Sequence, residues 1–460
     1  MNTNVNRKII LLISTLGAFW APFITSSVNI ALPHIGRDLA IGSSLLNWIT
    51  SSTILAIAIF ILPVGKLSDL LGRRKIMLLG TLILTGSSLF CSIAQSINFL
   101  LFSRVLQGIG SSMISISIIS IVCSVFPPKE RGKALGLNVA CTYIGLSLGP
   151  IIGGAIISYT SWRGIFLFSL PIGIILSLLL WSILSDDEPC KENETFDIKG
   201  SILYGLTIFM IIFGLSNLLL QPWSKYILLL GIASVFLFIY VESKVQYPIL
   251  NVSVLKSNRV LIFSSLASMI NYSSTFAIGY LLSLYLQLVK NLEPGIAGMI
   301  LLTQPALQSL LSPLAGRLSD KIAPQILASM GMALITVGLL LFSFFNETTS
   351  TIVIIILLGM VGVGFALFSS PNTNAIMTSV DKQYYGVASG IIGTARTVGQ
   401  SFSMSLTALI SSIFLGNAQL TREAIPGFLM SFNVTFIILA FLCLLGVFAS
   451  LARGRTEIGN

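Results

Sequence analysis

The sequence predicts an all-α polytopic membrane protein of about fourteen transmembrane helices, built as two pseudo-symmetric six-helix bundles plus two inserted helices. Three observations carry that prediction. Of 460 residues, 55% are hydrophobic and 9% charged, with a mean hydropathy of +0.94, whereas a soluble surface needs roughly a quarter charged residues. The apolar residues fall in windows of about 20, the length that crosses ~30 Å of hydrocarbon as a helix. A charged hinge, Gly65-Lys66-Leu67-Ser68-Asp69-Leu70-Leu71-Gly72-Arg73-Arg74-Lys75, lies between two of these windows. It returns in part as Gly316-Arg317-Leu318-Ser319-Asp320-Lys321, with Asp320 placed 251 residues after Asp69. A repeated hinge in a chain that otherwise hides its charge implies two related halves that move against one another, as in a transporter.

The windows run near 9–32, 46–65, 76–97, 99–124, 135–159 and 164–184 in the first half. An acidic, proline-broken stretch, Ser185 to Glu194, is too short to fold alone and reads as a tether. Windows 199–220 and 225–242 follow, then 259–288, 295–316, 325–345, 351–373, 386–415 and 427–452. Arg131-Gly132-Lys133-Ala134-Leu135-Gly136 resembles Tyr385-Gly386-Val387-Ala388-Ser389-Gly390 at an offset of 254 residues. Six helices and their loops are shorter than that offset, so the extra length is the pair of inserted helices. The division is therefore 1–184 for the first bundle, 185–198 for the linker, 199–245 for the insert and 246–460 for the second bundle.

The net charge of +10 could suggest nucleic acid, but the bases sit in short clusters between apolar windows, where the positive-inside rule expects them. The N-terminal tail, loops 66–75, 129–133, 191–199, 244–259 and 317–321, Lys382 and the C-terminal tail hold 19 of the 26 Lys and Arg. Both termini are thus expected in the cytoplasm, with a multi-pass chain in the cell membrane and the lipid bilayer as its surroundings. The N-terminal apolar run reads as an uncleaved first span. Cys91, Cys123, Cys141, Cys190 and Cys443 form no CxxC pair and no metal-ligand cluster. No phosphate loop and no nucleophile–histidine–acid set is present, so neither a cofactor nor an enzyme is expected.

The hinge resembles that of the major facilitator superfamily, specifically its fourteen-helix drug:proton antiporter group. Arg104-Val105-Leu106-Gln107-Gly108-Ile109-Gly110 matches the family's RxxQGxG element. Gly145-Leu146-Ser147-Leu148-Gly149-Pro150-Ile151-Ile152-Gly153-Gly154 matches GxxxGPxxGG. Smaller matches are Asn29 to Pro33, Phe196 to Gly200 and Ser370 to Asn374. The resemblance implies multidrug efflux by a monomeric antiporter, with small amphipathic substrates, protons as coupling ion and alternating access. It makes Gly65, Asp69, Gly72, Arg73 and Arg74 a conformational latch and Gly145, Gly149, Pro150, Gly153 and Gly154 an antiporter seam. The alternative for Arg73, Arg74 and Lys75 is that these bases merely enforce topology.

The cavity and coupling candidates are Asn29, Arg104, Gln107, Gly108, Asn271, Tyr272, Asn372, Asn374 and Arg396, polar groups or close-packing positions within apolar windows. Arg104 either serves the cavity or snorkels to the outer interface. The hydroxyls and amides either line the cavity or tie helices together. His34, the lone histidine, lies beside Arg37 and Asp38. Many relatives carry a carboxylate nine residues before the proline that Pro33 matches, where this chain has Ile24. None of the 16 acids falls in the middle of a window. A site of this composition suits neutral, amphipathic or anionic solutes, and leaves open a facilitator or exchanger that does not use protons.

Overall fold

A computed structural model describes residues 7–126, 128–182, 195–218, 221–250, 258–319, 322–380, 385–416 and 424–453. At Asp69, Arg317 and several other helical positions only the backbone is described, and the tether 185–194, Asp320 and Lys321 lie outside the described residues. The regular structure is helical: α1 (Arg7–Asp38), α2 (Ser43–Leu71), α3 (Arg73–Ser92), α4 (Ile97–Val125), α5 (Pro128–Tyr159) and α6 (Arg163–Trp181) come first. The pair α7 (Ile198–Ser216) and α8 (Ser224–Glu242) follows. Then come α9 (Arg259–Thr275), α10 (Ala277–Leu284) with a π-helical turn at Tyr285–Val289, α11 (Pro294–Leu301), α12 (Thr303–Leu318), α13 (Pro324–Phe342), α14 (Thr351–Thr378), α15 (Tyr385–Phe414) and α16 (Ile425–Ala452).

Thirteen stretches among the described residues are long and apolar enough to cross a membrane. α9, α10 and the π turn together make one of them, and Pro294–Ser312, running from α11 into α12, makes another. The 30-residue α15 occupies the place of the expected window 386–415. The windows 259–288 and 295–316 predicted one span each, as found for Arg259–Val289 and Pro294–Ser312; helical hydrogen bonding is locally broken near Phe276 and Leu302, both of which keep helical dihedrals. A hydropathy average passes over such breaks because both sides of each are apolar.

The two sets of six spans pack by one scheme. In the first, α1 lies on α5, α2 and α3 on α4, and α6 on α3; in the second, α9 lies on α15, α12 and α13 on α14, and α16 on α13. Glycines set these crossings at equivalent positions. A Cβ on Gly108 would strike the Thr53 carbonyl of α2, and one on Gly362 that of Gln304 in α12. Gly80 and Gly110 close α3 on α4 as Gly331 and Gly364 close α13 on α14. Gly145 meets the Phe19 carbonyl as Gly399 meets that of Met269. Small residues let helix backbones approach where lipid provides no hydrophobic drive for association.

The inserted pair leans on both bundles. Tyr204 of α7 donates to the Ala58 carbonyl of α2 at 2.8 Å. Leu55, Ala58, Leu62, Tyr204, Ile208 and Phe238 form an apolar cluster that also receives Val398 and Phe402 of α15. α8 is the outer member, packing on α7 and otherwise largely exposed to the surroundings that lipid would fill.

Gly108→Val and Gly362→Val should each destabilise the fold by about 1–3 kcal/mol through overpacking. Thermal unfolding of the purified variants measures this, and melting together with the parent would contradict the close crossings.

Candidate functional site

The bundles meet where helix-interior prolines free carbonyls. Proline has no N–H, so the carbonyl four residues earlier loses its helical partner. Pro33 frees the carbonyl of Asn29, and Ser283 of α10, in the other bundle, donates to it at 2.8 Å. The adjacent Ile30 carbonyl accepts from Gln287 at 3.3 Å. Pro150 frees the carbonyl of Leu146, which accepts from Ser26 of α1 at 2.7 Å, and Ser27 donates to the Gly149 carbonyl at 2.9 Å.

The Gly-Pro seam therefore has two faces. Gly145, Gly149 and Gly153 receive α1 at Phe19, Phe23, Ser26 and Ser27. Gly154 and the Pro150 carbonyl press on Pro294, Gly295 and Gly298 of α11, across the bundle interface. These contacts, with those of Asn29 and Ile30, lie toward the end of the molecule opposite the start of α1 and the end of α16, the distal end.

At mid-depth a polar cluster spans the interface. The Tyr143 hydroxyl of α5 lies 3.4 Å from the Ser369 hydroxyl of α14, with the Gln308 side chain of α12 beside it and Tyr272 and Arg396 of α9 and α15 close by. Tyr272 packs its ring against Phe365, centroids 6.3 Å apart. Of the sequence candidates, the structure brings Tyr272 and Arg396 into this cluster. Asn29 lies at the distal contact, where its side-chain oxygen accepts from Thr50 at 3.4 Å.

Arg104 and Gln107 sit inside the first bundle, each 1% exposed. The Arg104 Nε donates to the Ile49 carbonyl at 3.0 Å and its Nη1 to Gln107 Oε1 at 2.6 Å, while Gln107 donates to Ser88 at 2.9 Å. Thr53 returns a bond to the Arg104 carbonyl. The guanidinium thus ties α4 to α2 and, through Gln107, to α3, rather than snorkelling outward. Its Nη2 has no hydrogen-bond partner.

Asn372 is committed within the second bundle. It donates to the Ser264 carbonyl and the Ser268 hydroxyl and accepts from Arg453 at 2.9 Å. Arg453, also 1% exposed, further donates to Ser264 and Ser450. The sequence reading placed this arginine among the tail bases; it folds back because the last helix ends beside hydroxyls and carbonyls able to solvate it. Asn374 donates to Ser319 at 3.0 Å, and Asn271 is fully buried with both amide atoms lacking partners.

At the hinge, Gly72 takes φ 107°, a conformation that favours glycine, and turns α2 into α3. Gly65 has open space beside it, and Arg74 is buried whereas Arg73 is half-buried. Asp69 has no described side chain. At the C-terminal end of α1, Asp38 pairs with Arg163 at 2.6 Å and accepts from Trp162.

Sequence reasoning missed Tyr143, Gln308, Ser369, Ser283 and Gln287. Tyr143 had a signal, standing two residues before the Gly-Pro run, and the two glutamines are amides inside apolar windows. Among the described residues no group of three His, Cys, Asp or Glu is placed to hold a metal.

Comparison with known proteins accords with this geometry. The profile of the Major Facilitator Superfamily matches residues 14–404 and 264–459. The chain is 30% identical over 447 residues to the riboflavin transporter RibZ of Clostridioides difficile (strain 630), covering 96% of each. It is 29% identical to the multidrug resistance protein Stp of Mycobacterium tuberculosis (strain CDC 1551 / Oshkosh), over 90% of this chain and 77% of that one. A bacterial homolog of the human lysosomal transporter Spinster, in an inward-facing, unoccupied conformation, superposes with a TM-score of 0.71 at 15% identity, covering 99% of each chain.

Ser283→Ala would leave the Asn29 carbonyl without its donor. A lost bond of about 1 kcal/mol shifts an equilibrium roughly fivefold, so a cysteine placed beside Asn29 should react roughly fivefold faster with a hydrophilic thiol reagent. An unchanged rate would remove this contact from the distal closure. Two bundles of one packing scheme, a polar cluster between them and the profile match along the chain lead to one conclusion: the chain is a multi-pass membrane transporter, not an enzyme, and belongs to the Major Facilitator Superfamily.

Proposed function

We propose that the chain exports amphipathic small molecules, drugs among them, across the cell membrane in exchange for protons, by alternating access to a site between the bundles. The observation that carries this reading is the mid-depth cluster of Tyr143, Gln308, Ser369, Tyr272 and Arg396, drawn from both bundles. Aromatic faces with a few convergent polar groups suit a flat amphipathic solute that stacks and hydrogen-bonds at once. Because one side of the cluster belongs to each bundle, rocking the bundles would dismantle and rebuild it. The multidrug resistance relative supports drugs as substrates.

On this reading both termini and the base-rich loops face the cytoplasm. The hinge then acts as a cytoplasmic latch, with Gly72 making the turn and Asp69, Arg73 and Arg74 supplying charge. Arg104 and Gln107 hold α2, α3 and α4 as one body that moves as a unit, and the monomer is the working form.

A second reading is a facilitator or exchanger for a neutral or anionic metabolite that does not use protons. Arg396 favours it, being a cation beside Tyr143 while none of the 16 acids lies at mid-span. The relative named as a riboflavin transporter supports it too, since a flat aromatic vitamin matches the same cluster.

Flux of cationic, neutral and anionic fluorescent amphiphiles in proteoliposomes decides between them. Export driven by an imposed proton gradient is the expected result; gradient-independent exchange of neutral or anionic compounds alone would replace it with the second reading. Tyr143→Phe and Arg396→Ala should each weaken substrate affinity about tenfold, the worth of one hydrogen bond to a polar or charged partner. Wild-type affinity in both would remove the cluster from the binding site. Asp69→Asn should abolish flux while leaving membrane insertion intact, and wild-type flux in that variant would remove the latch.

A further inference from the structure

The inserted helices carry a second polar feature, remote from the interbundle cluster. Asp197 caps α7, its Oδ1 accepting from the Gly200 N–H at 2.8 Å. Glu242 ends α8 and is 2% exposed, its Oε2 accepting from the Leu250 N–H at 2.9 Å. The other oxygen of each carboxyl, Asp197 Oδ2 and Glu242 Oε1, meets no hydrogen-bond donor. Both stand where a Cβ on Gly200 would be, so the two oxygens face one another across that glycine.

Two facing carboxylate oxygens, both shielded from water, repel unless something positive lies between them. Among the described residues, the basic groups nearby are elsewhere engaged or exposed. Lys199 of α7 is exposed, Lys244 beyond α8 donates to the Tyr240 hydroxyl, and Lys66 of α2 lies over the Tyr247 ring at 5.7 Å. Among the described residues, Asp197 is the charged group that acts on Glu242. A cavity of about 310 Å³, lined by Asp197, Lys199, Gln246 and Tyr247 among others, opens on the Asp197 side of the pair.

We propose that Asp197 and Glu242 form a proton-binding site, in which one shared proton joins the ends of α7 and α8 and fixes the strap 243–250. The strap is placed to matter. Leu250, held by Glu242, packs on the apolar cluster of α2 and α7 and also on Leu261, Ile376, Ala388 and Ile391 of the second bundle. Tyr247 of the same strap lies under Lys66, beside the hinge. The site therefore senses protons at the end of the molecule where α1 starts and α16 ends, by loading or releasing a segment that touches both bundles. This goes beyond the substrate and the driving ion proposed above and requires neither.

The sign follows from the charges. With the proton bound the pair carries one negative charge; released to water, it leaves two, which push α7 and α8 apart. The closed strap binds more protons than the open one, so closure is present at low pH and lost as pH rises.

Two measurements on the full-length protein in nanodiscs test this. Infrared titration should show a protonated-carboxyl band at a pH where exposed carboxyls are ionised, absent in Glu242→Gln and in Asp197→Asn. The asparagine retains an acceptor for the Gly200 N–H, so that variant keeps its helix cap. Hydrogen–deuterium exchange of 243–250, corrected for intrinsic rates, should rise about tenfold as pH increases in the wild type. It should stay slow in Glu242→Gln, whose amide supplies the missing donor permanently. A band that survives either substitution, or strap exchange in Glu242→Gln that follows the wild-type course, would overturn the proposal.

Discussion

Inside hydrocarbon no water reaches a peptide group, so a carbonyl that loses its helical partner is stabilised by a donor on another helix. Much of this structure follows from that constraint. Pro33 and Pro150 each free one carbonyl, and each is met by a serine: Ser283 from the second bundle for Asn29, and Ser26 from α1 for Leu146. The prolines thus create the acceptors, and the serines that answer them fix which helices lie side by side. The glycines of α5 complete the arrangement, since Ser26 reaches Leu146 only because Gly149 and Gly153 let α1 come close. One short helix segment consequently joins α1 on one face and α11 of the other bundle on the other. That is the geometry of a seam about which two bundles can rock.

Charge is handled by the same means. A cation in the membrane costs several kcal/mol unless carbonyls, hydroxyls or acids surround it. Arg104 is held in its bundle by a carbonyl and an amide, and Arg453 in its own by carbonyls, hydroxyls and an amide, with no acid among their hydrogen-bond partners in the described residues. Each makes its bundle a stiffer body. Arg396, by contrast, lies beside Tyr143 at the interface, where a solute between the bundles would meet it. The division between enclosed and interfacial arginines separates groups that hold a bundle together from a group available to substrate.

The class of fold was legible because hydropathy and length report directly on the membrane. The repeat was legible as well: the hinge offset of 251 residues recurs between Gly80 and Gly331, and the offset of 254 between Gly110 and Gly364 and between Gly145 and Gly399, all crossing points in the structure. The direction a side chain takes around its helix was not legible. Asn372 and Tyr272 both looked like cavity groups, yet one is enclosed by Arg453 and Ser264 while the other packs on Phe365 near Tyr143. In a helix apolar on nearly every face, periodicity gives no bearing, and only the neighbours decide. Tyr143 and Ser369 were passed over for the same reason, and the breaks near Phe276 and Leu302 because apolar residues flank them.

The account rests on two rigid bundles that exchange which end is closed. Spin labels on α1 and α10 at the distal end, with a second pair on α5 and α14 at the opposite end, measure this by pulsed electron resonance in lipid. Substrate and a proton gradient should lengthen one distance distribution as the other shortens, in equal populations. Two distributions that stay fixed, or that change independently of one another, would contradict alternating access about the Pro33 and Pro150 contacts.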